Sequence, residues 1–153
     1  MGYIKYKKMK VGIKKLHPDA VIPKYAKTGD AGMDLTVVDI EFTPSYVSYK
    51  TGLAFEIPKG YVGLLFPRSS NCKKQLLLTN SVGVLDSGYR GEVEFRFKLA
   101  GNGVLPEGEL DIYNIGERVG QIIIMPYPEI EFVELDNLSS SERGEGGFGS
   151  SGK

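Results

Sequence analysis

The sequence has little cysteine and no long apolar run. Cys72 is its single cysteine, so the chain cannot form an internal disulfide, and a cysteine-based metal site is disfavoured. No apolar run approaches the roughly 18 residues that a membrane-spanning helix requires, and the N-terminus lacks the apolar core of a signal peptide. Nineteen Lys and Arg residues balance nineteen Asp and Glu residues, which gives no indication of a general surface for nucleic acid or membranes. These features predict a soluble cytoplasmic protein that binds neither.

Glycine and proline, in contrast, are frequent throughout the chain. Twenty glycines and eight prolines divide the 153 residues into apolar runs of four to eight residues, a pattern typical of all-β proteins. The predicted strands are 10–16, 33–37, 47–49, 53–57, 61–66, 76–78, 92–99, 109–112 and 121–127. Helical periodicity is absent except for one short turn expected after Ser69, whose hydroxyl is predicted to cap it. So many short strands in a chain of one-domain length predict a jelly roll, β-sandwich or barrel.

The ends of the chain differ from this pattern. Residues 1–9 form a lysine-rich tail, residues 10–134 hold the predicted strands, and residues 135–153 are rich in serine and glycine. The last of these three parts is predicted to be a flexible arm.

The stretch 80–99 is the most informative part of the sequence. In its second half apolar and charged residues alternate strictly, as in a half-buried strand. In its first half, three glycines surround Asp86 and Tyr89, which predicts a tight bend where backbone can approach a ligand. A carboxylate and a phenol on a bend, supported by a strand, are suited to chemistry.

Four other segments carry polar groups, and each has an ordinary structural explanation. Asp34 lies inside an apolar strand, so it is either an internal salt-bridge partner or a group that orients a ligand or a metal-bound water. The segment PRSS (67–70) ends a strand with one guanidinium and two hydroxyls, while RVGQ (118–121) begins one and, taken alone, fits a polar surface better than a binding site. The tail RGEGGFGSSGK (143–153) is suited to wrapping an anion, but by composition it is also an idle linker. Its G-x-x-x-x-G-K pattern lacks the strand and helix of a P-loop, so we reject a Walker-type site.

Taken in order, the five segments AGMDL, PRSS, NSVGVLDSGYRGEV, RVGQ and RGEGGFGSSGK resemble the five motifs of the trimeric dUTP pyrophosphatase (dUTPase) family. The resemblance covers residues 10–153. It implies a jelly-roll-like β domain at 10–134, an arm at 135–153 that closes over a neighbouring subunit's site, and a homotrimer with shared active sites. The reaction implied is Mg²⁺-dependent hydrolysis of dUTP to dUMP and pyrophosphate, which keeps uracil out of DNA and supplies dUMP for thymidylate synthesis.

The resemblance also implies roles for single residues. Asp86 matches the aspartate that deprotonates a water attacking the α-phosphorus. The residues matched to uracil and deoxyribose binding are Asn80, Gly83, Val84, Leu85, Tyr89 and Phe148. Those matched to triphosphate binding are Arg68, Ser69, Ser70, Gln121, Arg143, Gly149, Ser150, Ser151 and Gly152. The family's Mg²⁺ is held mainly by the substrate triphosphate, so no direct protein ligand is expected, and Asp34 matches an aspartate near the metal's water shell.

Two alternatives stay open. A dCTP deaminase shares the fold and phosphate contacts, but its catalytic glutamate would fall where this sequence has Arg96. The second alternative is a trimer that binds dUTP as a signal without hydrolysing it. Gly88 stands where the family often has an acidic residue, and this departure bears on the same question.

Overall fold

The structure is a computed structural model that describes residues 8–100 and 111–147. Within these residues the strands are β1 (Gly12–Lys15), β2 (Met33–Thr36), β3 (Asp39–Phe42), β4 (Val47–Lys50), β5 (Leu53–Glu56), β6 (Tyr61–Pro67), β7 (Leu76–Leu78), β8 (Gly83–Leu85), β9 (Glu94–Leu99) and β10 (Arg118–Pro126). One 3₁₀ helix, Ser69–Lys73, follows β6. The all-β prediction is confirmed.

The differences from the predicted elements are local. The short strands β3 and β8 were not predicted, because four and three residues are too few for a reliable alternation. The predicted strand 109–112 lies partly outside the described residues, and its last two residues are not in a strand. The helical turn forms as expected, but the prediction that Ser69 caps it is wrong. Arg68 occupies the N-cap position, and no side chain there accepts a hydrogen bond.

The strands form three antiparallel sheets. One pairs β1 with β5, the second has the order β2-β10-β6-β8, and the third has the order β3-β4-β9-β7. The second sheet positions most of the predicted site residues, which lie on β2, β8 and β10 or in the segments that follow β6 and β8.

The core lies between the two larger sheets and confirms the alternation of β9 as far as Phe97, whereas Leu99 at the end of the strand is exposed. Phe95 and Phe97 are buried whereas Arg96 and Lys98, between and after them, are exposed. Tyr49 packs edge-on against the ring of Phe97 at 5.7 Å between centroids, a favourable aromatic geometry. Burial of these large apolar side chains is the main source of the domain's stability.

The contact between the two sheets also shapes the site. Strand β10 has an irregular register between Arg118 and Gly120 where it pairs with β2. Gly120 lies directly against the ring of Phe95, so closely that an added Cβ would overlap ring atoms. Absence of a side chain at this position therefore lets β10 approach the core, and the irregular register sets the direction of Arg118.

Candidate active site

The predicted site residues that precede the arm fall into two groups at different places on the chain. The first group, the hairpin pocket, surrounds β8 and the bend that follows it. It is a cavity of about 210 Å³ lined by Leu65, Asn80, Gly83, Val84, Leu85, Asp86, Tyr89, Glu92, Val93 and Glu94. The structure thus brings Asp86 together with every predicted uracil- and deoxyribose-binding residue except Phe148, which lies outside the described residues.

Strand β8 is short and lies at an edge of its sheet. Its only strand partner among the described residues is β6, so one side of its backbone is left unpaired. Gly83 faces Leu65 so closely that a Cβ would come within 2.9 Å of the Leu65 Cβ. Glycine at this position lets the edge strand pair with β6 and keeps its free side available to a ligand.

The bend after β8 presents Asp86 and Tyr89 to solvent. The Tyr89 backbone N–H donates to the Asp86 carbonyl at 3.1 Å, and the Tyr89 hydroxyl donates to the Glu92 carbonyl at 3.2 Å. Gly91 lies under the Tyr89 ring, where any Cβ would overlap the phenol. The glycine therefore allows the ring to fold back across its own bend, with the Asp86 carboxylate exposed beside it.

The second group, the arginine cluster, lies where β6 ends beside β2 and β10. The Arg68 Nε donates to the Asp34 Oδ1 at 3.0 Å, and the Arg118 Nη1 donates to the Asp34 Oδ2 at 3.2 Å. One carboxylate thus uses each oxygen for a different guanidinium. Of the two explanations left open for Asp34, the internal salt bridge is present in the structure, and it directly orients the predicted phosphate-binding Arg68.

The remaining predicted phosphate donors of this region adjoin the cluster. The Arg68 Nη1 donates to the Ser70 Oγ at 3.2 Å, and the Gln121 Nε2 donates to the Pro67 carbonyl at 3.1 Å. Gln121 faces Asp34 in the β2–β10 register, while Ser69 is exposed at the start of the 3₁₀ helix. The chain therefore presents guanidinium, hydroxyl and amide donors within one short stretch of surface.

Sequence reasoning missed part of this cluster. A cavity of about 420 Å³ adjoins it, lined by Arg68, Ser70, Lys73, Lys74, Asp111, Tyr113, Gly116, Glu117 and Arg118. Arg118 and Lys74 were not predicted as site residues, although Arg118 begins the RVGQ segment. Lys74 is held by Asp111 at 2.8 Å and lies over the Tyr113 ring at 5.1 Å. Burial raises the pKa of Tyr113, so this phenol remains neutral beside the cations.

The arm is described only in part. Arg143 is exposed and donates through its Nε to the Gly146 carbonyl at 2.9 Å, a local turn that lines neither cavity. The structure therefore does not bring Arg143 to the other site residues of its own chain. The other predicted arm residues, Phe148, Gly149, Ser150, Ser151 and Gly152, lie outside the described residues.

The hairpin pocket and the arginine cluster are far apart within one chain. In the register of the second sheet, Asp86 follows Leu85, which pairs with Gly63, whereas Asp34 pairs with Gln121, which pairs with Phe66. The two acids are thus separated by four residues along the strands and by three strand spacings across the sheet. At about 3.3 Å per residue and about 4.8 Å per strand, this separation is about 20 Å.

Neither cavity contains an obvious protein-made metal site. Among the described residues there is no group of three or more His, Cys, Asp or Glu side chains that could hold a metal ion. The arginine cluster instead offers cationic and neutral donors, which suits a cation that arrives already bound to phosphate oxygens. Residues 8–100 and 111–147 contain no helix whose length and hydrophobicity would let it span a bilayer.

Comparison with known proteins gives a consistent result. The family model described as dUTPase matches residues 19–152. The deoxyuridine 5'-triphosphate nucleotidohydrolase of Hydrogenobaculum sp. is 40% identical over 149 residues, which covers 94% of this chain and 99% of the relative. The enzyme of the same name from Thermobifida fusca is 38% identical over 147 residues, covering 94% of this chain and 79% of the relative.

Solved structures agree with this comparison. A mutant of the Staphylococcus bacteriophage 80alpha dUTPase with dUpNHpp superposes with a TM-score of 0.79 at 29% identity, covering 95% of this chain and 100% of that chain. A mutant dUTPase from phage phi11 of S. aureus, described as coordinating a structural Mg(II) ion, has a TM-score of 0.69 at 27% identity, covering 84% and 98%.

Proposed function

The chain belongs to the dUTPase family and is a dUTP diphosphatase, and from this premise we propose how its residues carry out the hydrolysis of dUTP to dUMP and pyrophosphate. The observation that carries the proposal is the hairpin pocket, where Asp86, Tyr89, Asn80 and the free edge of β8 line one cavity. Asp86 is the general base, and the other groups hold the deoxyuridine.

Uracil binds against β8 and Asn80. The unpaired side of an edge strand offers backbone donors and acceptors, and the Asn80 amide adds one of each. Cytosine reverses the donor and acceptor pattern at N3 and at position 4, so it leaves mismatched polar groups at a penalty of about 1–3 kcal/mol. Thymine is excluded by lack of space for its methyl group beside the backbone, and Tyr89 packs under the deoxyribose where a 2′-hydroxyl would not fit.

Asp86 orients and deprotonates the attacking water. Its carboxylate is exposed beside Tyr89, so the same bend that binds the sugar also places the base near the α-phosphorus. The water's proton passes to the carboxylate as its oxygen bonds to the α-phosphorus, and pyrophosphate leaves with the electron pair of the broken P–O bond. The deaminase alternative is disfavoured because Arg96 is paired with Glu94, whose other oxygen accepts a hydrogen bond from Ser48 at 2.8 Å.

The arginine cluster binds the triphosphate. Arg68, Ser70 and Gln121 are fixed by contacts to neighbouring groups, so their donors need little reorganisation as charge builds on the phosphoryl oxygens. Ser69 adds an exposed hydroxyl. Magnesium, carried by the substrate phosphates and water, supplies further charge neutralisation. Asp34 is the carboxylate that accepts hydrogen bonds from Arg68 and Arg118, and any contact to the metal is through water.

Each active site is shared between subunits of a homotrimer. The triphosphate must contact the arginine cluster while its α-phosphorus lies beside Asp86, yet the two are about 20 Å apart in one chain. Three linked phosphates are too short to span that separation. One subunit therefore provides the hairpin pocket, a second provides the arginine cluster, and the arm 135–153 of a third closes over them with Arg143 and Phe148. A cytoplasmic location is proposed from the single, exposed Cys72.

Pyrophosphate release with dUTP and Mg²⁺, run beside dCTP, dTTP and UTP, tests this assignment. We expect selective release from dUTP and a loss of about 100-fold or more in kcat for Asp86→Asn, since general-base catalysis contributes about 10²- to 10⁴-fold. Binding of a non-hydrolysable dUTP analogue should persist in the variant, because asparagine keeps the shape of the side chain.

Two results would contradict the proposal. Near-normal turnover of Asp86→Asn would exclude its role as base, and dUTP binding without release by the unaltered protein would favour the signal-binding alternative. Mixing Asp86→Asn subunits with Arg68→Ala subunits tests the shared site. Refolded mixed trimers should regain part of the activity that each variant lacks alone.

A further inference from the structure

The bend between β8 and β9 is weakly held for a segment that must place a base and a sugar contact. Residues 86–93 form no strand in the structure, and Asp86, Gly88 and Tyr89 are exposed. Gly88 has nothing within 4 Å of the position where a Cβ would lie, so packing does not restrain it. The bend therefore depends on a small number of polar contacts.

Arg90 makes three of these contacts from one side chain. Its Nη1 donates to the Ser87 carbonyl at 2.7 Å and to the Tyr89 carbonyl at 3.0 Å. Its Nη2 donates to the Glu56 Oε1 at 3.4 Å, at the end of β5. The guanidinium thus connects both sides of the bend with each other and with a strand of a different sheet.

We infer that Arg90 is a positioning residue of the active site, which fixes Asp86 and Tyr89 by bracing the backbone between them. This inference rests on the proposed function of those two residues. The Ser87 carbonyl belongs to a peptide between Asp86 and Tyr89, and the Tyr89 carbonyl belongs to the peptide that follows Tyr89. Restraint of these two carbonyls therefore limits movement of the bend that carries both side chains. The planar guanidinium suits this task because its donors have fixed relative directions.

The ion pair with Glu56 contributes less than the carbonyl contacts. The side chains of Arg90 and Glu56 are 53% and 72% exposed, and exposed ion pairs of this kind add little stability. The carbonyl contacts are shorter and act on the bend itself. Substitution of Glu56 should therefore be much milder than substitution of Arg90.

Loss of the Arg90 contacts should change the kinetics in a specific way. A displaced Asp86 lowers kcat, because misplacement by about 1 Å costs about 100-fold in a well-oriented reaction. A displaced Tyr89 packs less closely under the sugar, so discrimination between dUTP and UTP falls. The phosphate donors belong to the separate arginine cluster, so inhibition by pyrophosphate should not change.

The experiment compares Arg90→Ala, Arg90→Lys and Glu56→Gln in the full-length protein. We expect Arg90→Ala to lower kcat for dUTP by about 10- to 100-fold and to reduce the dUTP-to-UTP ratio of kcat/KM, with the pyrophosphate inhibition constant within about twofold of the unaltered protein. Arg90→Lys should retain the charge but lose one carbonyl contact, and so be intermediate. Glu56→Gln should stay within about twofold in every measurement, as expected for an exposed ion pair.

Lys98→Ala is the matched control. Lys98 is an exposed cation on the adjoining strand β9 and makes none of the salt bridges found in residues 8–100 and 111–147, so its removal tests the loss of one positive charge without the loss of an ion pair. If Arg90→Ala does not unfold in a cooperative thermal transition, Arg90→Lys becomes the test of the inference. A loss of threefold or more in its kcat, with unchanged pyrophosphate inhibition, would support the positioning role of Arg90.

Unchanged kcat and sugar selectivity in the Arg90 variants would overturn the inference. Weakened pyrophosphate inhibition would also overturn it, since Arg90 would then be a phosphate contact. Failure of the proposed function itself gives a different result, because the unaltered protein would then release no pyrophosphate selectively from dUTP.

Discussion

Replacing Asp34 with asparagine is the most informative test of the arginine cluster. Asparagine keeps the size of the side chain but removes its charge, and one of its two terminal atoms becomes an NH₂ donor. That donor must face either the Arg68 Nε or the Arg118 Nη1, which lie 3.0 and 3.2 Å from the carboxylate oxygens. At least one favourable contact is therefore lost or replaced by repulsion.

The size of the effect follows from the exposure of the partners. Arg68 and Asp34 have side chains that are 24% and 28% exposed, so their hydrogen bond is partly protected from water, and such a charged bond contributes about 1.5–3 kcal/mol when buried. Arg118 is 57% exposed, which limits its contribution to about 1 kcal/mol or less. Without Asp34 the two guanidinium groups are less well oriented toward phosphate, so we expect the free energy of triphosphate binding to weaken by roughly 1–2 kcal/mol. This loss corresponds to a rise in KM for dUTP of about 5- to 30-fold.

The assay is steady-state pyrophosphate release measured over a matrix of dUTP and Mg²⁺ concentrations. If Asp34 acts through the arginines, Asp34→Asn raises KM and weakens inhibition by pyrophosphate, while the Mg²⁺ concentration for half-maximal rate stays constant. If it acts through metal-bound water, the Mg²⁺ requirement shifts instead. Asp39→Asn, which removes an exposed carboxylate from β3 in the other large sheet, is the control for the change in charge. A KM within twofold of the unaltered protein would refute the reasoning.

Two further predictions concern the core. Gly120→Ala should destabilise the fold by about 1–3 kcal/mol, because the new Cβ would overlap the Phe95 ring and lie 2.9 Å from the Phe66 carbonyl oxygen. Gly88→Ala is the control, since its Cβ would lie in open space and should change the free energy of unfolding in urea by less than about 1 kcal/mol. Equal effects of the two substitutions would contradict the packing argument. Tyr49→Phe should change the free energy of unfolding at neutral pH by less than about 1 kcal/mol, because the buried Tyr49 hydroxyl makes no hydrogen bond of good geometry among the described residues and only lies near the Tyr113 backbone. Burial raises the pKa of Tyr49 to about 12 from the ordinary 10.0, so the phenol ionises first in the unfolded chain and the folded state loses stability as pH rises from 10 toward 12. The free energy of unfolding of the unaltered protein should therefore fall more steeply than that of Tyr49→Phe between pH 10 and 12, and parallel curves would show that the phenol is not desolvated.

Much of the architecture was predictable because it depends on short-range patterns. Strict alternation in β9 specifies which side chains are buried, and frequent glycine and proline exclude long helices. The dUTPase resemblance rests on the order and spacing of five segments, and both can be read from the sequence without a structure. The three-residue strand β8 escaped prediction because its identity depends on pairing with β6, not on its own pattern.

The sequence by itself determined the fold class, the family and the types of chemical group available, since these follow from local periodicity and from motif order. Only the tertiary structure decided which groups meet. Asp34 and Arg118 are 84 residues apart in the chain yet form a direct contact, and Arg90 reaches Glu56 on another sheet. The separation of the hairpin pocket from the arginine cluster likewise depends on strand order and register. Such long-range pairings result from the packing of sheets over a common core, and no local pattern of residues encodes them.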